Sequence, residues 1–184
     1  MYVVSTPEVI ARDAAGRATI RAIRIGEPLK IDGRLDERAY QDVPALSGFI
    51  QHQPLENVPA TEQTEVWVFF DRDNLYIGAR CWDSVPESQW VANEMRRDAL
   101  TIVQNEHFVV LLDTFYDRRN AVLFTVNPIG GRMDGQITDE RAYNGDWNSI
   151  WEFWSGRFEK GWTVEMAFPS DRCAIGRASP KPGA

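Results

Sequence analysis

The feature that most constrains this chain is a change of period at residue 64. From there to residue 169, apolar side chains fill short runs bounded by turn residues: "TEVWVFF", "LYIGARCWD", "HFVVLLDTF", "NAVLFTVNP" and the two arms of "SIWEFWSGRFEKGWTVEMAFP". Alternation with a period of two is that of an extended strand, whose side chains point in turn to its two faces. Polar turns separate the runs: "DRDN" after residue 70, Asp117-Arg118-Arg119-Asn120 between "HFVVLLDTF" and "NAVLFTVNP", and Glu159-Lys160-Gly161 in the last hairpin. Asp and Asn reverse a chain by bonding their own backbone, and Gly by tolerating positive φ. About eight strands joined by such short turns, with one small helix, predict an all-β chain folded as an antiparallel β-sandwich.

The rest of the chain fits around that pattern. "ATIRAIRIGEPLKIDGRLDE" reads as a strand, a turn at Gly26-Glu27-Pro28, a second short strand and a tight turn at Asp32-Gly33. Helical spacing of Leu35, Ala39 and Val43, stopped by Pro44, predicts a short helix near residues 35–43. "GRMDGQITDE" predicts a strand and "RAYNGDWN" a polar loop. At 184 residues and 43% hydrophobic content the chain has room for one core. Its organisation is a lead segment over 1–19, a sandwich domain over 20–169 and a disordered tail over 170–184. In "HFVVLLD" both faces are apolar, which predicts a central strand covered on both sides, with Asp113 paired to Arg119 at its end.

Charge and composition exclude several functions. A formal net charge of -7, with Lys and Arg scattered, argues against a nucleic-acid surface. No run of about 18 apolar residues is present to form a membrane-spanning helix, and the opening "MYVVSTPEVIARDAAGRATI" lacks the layout of a secretory signal peptide. Two cysteines do not make a disulfide framework; Cys81 is expected buried and Cys173 free in the tail. With only His52 and His107, no serine nucleophile elbow and no glycine-rich phosphate loop, no enzyme is expected.

Binding chemistry has more candidates. Trp162 alternates with Val164, Met166 and Phe168, and so belongs to a core. Trp90, Trp147 and Trp151 lie in or beside loops, where an indole stacks on a sugar ring or packs inward; both readings stay open. Arg96 and Arg97 lie close enough in sequence to Trp90 to take sugar hydroxyls. Asp134, Asp139 and Asp146, with Glu140 and Asn144, supply hard oxygen ligands suited to calcium, although not in the spacing of a helix-loop-helix site. Met95, Met133 and His107 carry no spacing specific to haem.

Several stretches together resemble a known family: "KIDGRLDERAY", "PATEQTEVWVFFDRDNLYIGARCWD", "VANEMRRD", "LLDTFYDRRNAVLFTVNPIGGRMDGQITDE", "DWNSIWE" and "GWTVEMAFP". They look like the N-terminal domain of bacterial cell-envelope proteins, a domain similar to the family-nine carbohydrate-binding modules. The resemblance spans roughly residues 20–169. It implies a β-sandwich, a periplasmic or outer-membrane-associated setting, and an outer-membrane region C-terminal to the domain as a partner. The sugar-binding members clamp a sugar end between two tryptophans beside a glutamate and an arginine. On that pattern Val103 stands at the first tryptophan, Val109 at the glutamate and Thr125 at the arginine. The expectation is therefore a non-catalytic carbohydrate-binding-like module whose oligosaccharide is held by other residues. The alternative is a structural or interaction domain docking onto its own barrel or a partner, with no small ligand.

Overall fold

The computed structural model describes residues 9–14 and 17–170. In chain order they form β1 (Ile10–Arg12), β2 (Ala18–Ile20), β3 (Ile23–Arg24), α1 (Arg38–Asp42), β4 (Thr64–Phe70) and β5 (Asn74–Trp82). There follow β6 (Phe108–Leu112), β7 (Ala121–Val126), β8 (Arg132–Thr138), β9 (Ala142–Asn144), β10 (Glu152–Phe158) and β11 (Gly161–Pro169). One sheet has five strands in the order β10-β11-β5-β4-β3, a second has four in the order β6-β7-β8-β9, and β1 pairs with β2. Every pair is antiparallel except β3 with β4. No helix among the described residues is long and apolar enough to cross a membrane.

The two large sheets face one another across the main core. Val66, Trp162, Val164, Met166 and Phe168 meet Val110, Val122, Phe124 and Val126 there. A second core lies on the opposite face of the five-stranded sheet, where Leu29 and Tyr40 from the segment preceding β4 cover Trp67, Phe69, Tyr76 and Ala167. β11 is thereby buried on both sides along Gly161–Phe168, with Trp162, Val164, Met166 and Phe168 toward the main core and Ala167 toward the second.

That strand also carries a fully buried carboxylate, Glu165. Its Oε2 accepts the backbone N–H groups of Asp32 (3.0 Å) and Gly33 (2.8 Å), and its Oε1 accepts the Tyr40 hydroxyl at 2.9 Å. Burial nevertheless pushes its pKa up to about 7, the three donors opposing the shift only in part. Next to it the Thr163 hydroxyl donates to the Gly33 carbonyl at 2.6 Å. Gly33 has φ 81°, and a Cβ on the facing Gly156 would lie 2.0 Å from the Gly33 carbonyl oxygen. Glycine at both places lets the loop lie directly on the sheet.

Several expectations change on this frame. β6 is an edge strand, with Val109 41% and Leu111 56% exposed, not a covered central one. Asp113 accepts backbone N–H groups of Asp117 and Arg118, while Arg119 pairs with Asp139 at 2.9 Å. The stretch 28–32 is held by Glu165 rather than by strand pairing. β9 runs through the expected polar loop. The helix is shorter than expected, at Arg38–Asp42. Residues 10–12 of the expected lead segment pair with 18–20, and Val9 joins the main core. Cys81 is half-buried and free, its thiol pushed up to about 12 by burial and by Glu106; Cys173 and the expected tail from 171 onward lie outside the described residues.

Candidate functional site

The three loop tryptophans do not line one open pocket. Trp151 is 6% exposed, and its ring stacks on Phe153 at 5.3 Å and on Phe168 at 6.0 Å, so it is a core residue and not a sugar platform. Trp147 is half-buried edge-on against Phe124 at 6.1 Å. Trp90 is half-buried on the same core, and its Nε1 donates to the Val85 carbonyl at 3.2 Å.

The arginines are committed to carboxylates. Arg96 grips Glu94 through Nε (3.0 Å) and Nη2 (2.8 Å); Arg96 and the Thr101 hydroxyl hold that carboxyl down at about 2. Arg97 Nη2 donates to Asp134 Oδ1 at 3.1 Å and Asn148 Oδ1 at 2.7 Å, while Asp134 Oδ2 accepts the Ser149 N–H at 2.7 Å. Asp134, fully buried on β8, therefore ties the loop before β10 to the four-stranded sheet. Asp134 thus pairs with a guanidinium and a backbone N–H, and Asp139 pairs with Arg119. Among the described residues no three His, Cys, Asp or Glu side chains gather as a metal would need, so Asp134, Asp139 and Asp146 do not form the expected calcium set.

The positions matched to the family's sugar clamp do come together. Val109 is the register partner of Thr125 on β7, and Val103 sits in the 3₁₀ turn Leu100–Gln104 that packs against β7 and β8. Val103 is 52% exposed, whereas Thr125 is fully buried. This face offers aliphatic side chains where a sugar needs stacking and hydroxyl partners.

A different surface has that chemistry. A cleft of about 660 Å³ opens along β10, the edge of the five-stranded sheet, lined by Met95, Ile129, Phe153, Trp154, Ser155 and Arg157 together with backbone of the β7–β8 turn. Trp154 is 60% exposed, and a Cβ on Gly33 would come within 2.8 Å of its Cδ1, so the glycine loop braces one edge of the indole. At one margin Arg157 Nε pairs with Glu87 Oε1 at 3.0 Å, a donor and an acceptor side by side. At another the Ser155 hydroxyl donates to the Asn127 carbonyl at 2.9 Å, which fixes the β7–β8 turn to β10 and leaves the hydroxyl oxygen to accept. The lining residues include no acid, histidine or cysteine. The cleft can stack and hydrogen-bond a ligand.

Trp154 was not among the expected site residues, yet its phase was readable. Phe153 alternates inward with Trp151, so Trp154 falls on the opposite face, in register with Glu165. Met95, Ile129 and Glu87 left no signal, because only tertiary packing brings them beside β10.

No family model and no curated protein matches the chain. Among solved structures, a family 9 carbohydrate-binding module from Caldicellulosiruptor kristjanssonii in complex with glucose aligns at a TM-score of 0.58 and 18% identity, over 89% of this chain and 72% of the module. A family 9 module from the same organism in complex with cellotriose aligns at 0.56 and 17% identity, over 80% of this chain and 66% of the module. At these identities the likeness is one of fold: this chain has the β-sandwich of the family 9 carbohydrate-binding modules, over about two thirds of their length.

Proposed function

We propose that the chain is a non-catalytic, saccharide-recognising module whose ligand lies in the β10 edge cleft, not on the sheet face at Val103 and Val109. The observation that carries this reading is Trp154, an indole 60% exposed inside a concave, partly apolar cleft. A large aromatic left in water loses burial worth about 1.5–3 kcal/mol, and an apolar ligand face recovers it. Sugar rings present such a face in their axial C–H groups, while Arg157, Glu87 and Ser155 supply partners for the hydroxyls around it. The fold likeness to modules solved with glucose and cellotriose points the same way. A cell-envelope setting, periplasmic or at the outer membrane, is part of the proposal and rests on the sequence resemblance.

Titration calorimetry with cellotriose and a panel of other oligosaccharides tests it. The parent chain is expected to give saturable heat with at least one of them. Trp154→Ala is expected to weaken that binding at least tenfold, with the melting temperature little changed because the side chain is exposed. Heat from no glycan, or equal affinity in the variant, removes the proposal.

A second reading, an interaction domain without a small ligand, is favoured by one observation. Leu100 and Val103, on the 3₁₀ turn that packs against β7 and β8, and Val109 and Leu111, on the edge strand β6, are exposed aliphatic side chains. The surfaces are separate, so the two readings are compatible.

A further inference from the structure

β6 closes one side of the four-stranded sheet, and no strand among the described residues pairs with its outer edge. The free run has defined ends. The Glu106 N–H donates to the Val91 carbonyl at 2.8 Å, and Asp113 opens the following turn by accepting the Arg118 N–H at 2.7 Å. Between them, residues 107–113 make no backbone hydrogen bond among the described residues other than those to β7. Edge strands ordinarily carry a lysine, a proline or a bulge that repels further strands. "HFVVLLD" carries none of these.

We propose that β6 is the self-association edge of this protein, two copies pairing their β6 strands antiparallel about a twofold axis at Val110. The free run dictates this register, since Val110 is the midpoint of 107–113. Phe108 then meets Leu112, Val109 meets Leu111, and His107 meets Asp113 of the second copy, each contact occurring twice by symmetry. Parity also agrees. Phe108, Val110 and Leu112 extend the inner core face across the junction, and Val109 and Leu111, exposed in one copy, cover each other on the outer face. His107 Nδ1 lies 2.6 Å from the Asn105 carbonyl, which leaves Nε2 for the opposing carboxylate. A register displaced by two residues keeps the faces but loses both His107–Asp113 pairs. The result is a continuous eight-stranded sheet, in which the outward backbone groups of both edges are satisfied.

Sedimentation velocity over a concentration series on the full chain tests this with two double variants at exposed positions. In V109K/L111K the proposed register sets lysine against lysine at both outer pairs, whereas in V109K/L111E it sets lysine against glutamate. Thermal melts confirm that both variants fold. The parent chain is expected to dimerise with concentration, V109K/L111K to dimerise at least tenfold more weakly, and V109K/L111E to remain close to the parent. A parent chain monomeric up to its solubility limit overturns the proposal. So does equal behaviour of the two variants, which would remove the register, or capture of a different polypeptide along β6 by a chain that does not pair with itself.

Discussion

Glu165 shows how one side chain can hold a segment in place and tax the fold at once. Its carboxylate gathers two backbone N–H groups and the Tyr40 hydroxyl, fixing the Asp32-Gly33 turn to β11. Because burial raises its pKa from 4.5 to about 7, the folded chain still holds a proton that the unfolded chain has released across that window. Folding is then favoured at the acid end, and this contribution falls as pH climbs from about 4.5 through about 7. Melting temperatures measured from pH 5 to 8 are expected to decline on this account, and Glu165→Gln is expected to flatten the decline. A parent slope unchanged in the variant would assign it to other groups. Glu165→Ala, which leaves the buried Gly33 and Tyr40 donors and the half-buried Asp32 N–H without their acceptor, is expected to lose about 2–4 kcal/mol in chemical denaturation. Trp154 is the opposite case, a large side chain kept out of either core, so that its replacement changes ligand binding and leaves folding alone.

At the scale of elements, β6 and β11 show what a pattern of side chains can and cannot specify. β6 read as apolar on both faces and β11 as core on the side of Trp162, Val164, Met166 and Phe168, yet β11 is covered twice, by the opposing sheet and by the segment carrying Leu29 and Tyr40, while β6 is an edge with Val109 and Leu111 in water. Local alternation carries no information about which strand stands beside which. The hairpins of β4 with β5, β6 with β7 and β10 with β11 were legible because each turn announces itself with Asp, Asn or Gly. The short β9, three exposed residues paired with β8, carries no apolar alternation to mark it, and the stretch at 28–32 is anchored at Asp32 by the remote Glu165, so neither was legible. Contact between the Gly33 loop and β10 depends on Gly156: an added methyl would strike backbone, which cannot swing away. Gly156→Ala is therefore expected to destabilise the fold by about 1–3 kcal/mol. Urea unfolding checks this, and an unchanged midpoint would mean the loop is not seated as described.

Across the whole molecule, architecture was readable from the sequence further than the binding surface. Strand period, turn chemistry and motif order converge on the β-sandwich that the family 9 modules share with this chain. The candidate cleft assembles three separate stretches, β10, the β7–β8 turn and the segment around Met95, and no spacing rule links them. Arg97 and Asp134, which looked like ligand-binding and metal groups, instead tie a loop to a sheet, because a buried charge must be paired before it can do anything else. The scaffold of a sugar-binding module is kept, the face bearing Val103 and Val109 is aliphatic, and an exposed indole stands at the opposite sheet's edge. The most direct measurement is a backbone and indole amide chemical-shift titration with the oligosaccharide that gives the strongest calorimetric response. The account predicts saturable shifts at the Trp154 indole N–H and at Met95, Ile129, Ser155 and Arg157. Shifts confined to Val103, Val109 and Thr125, or none at saturating glycan, would contradict it.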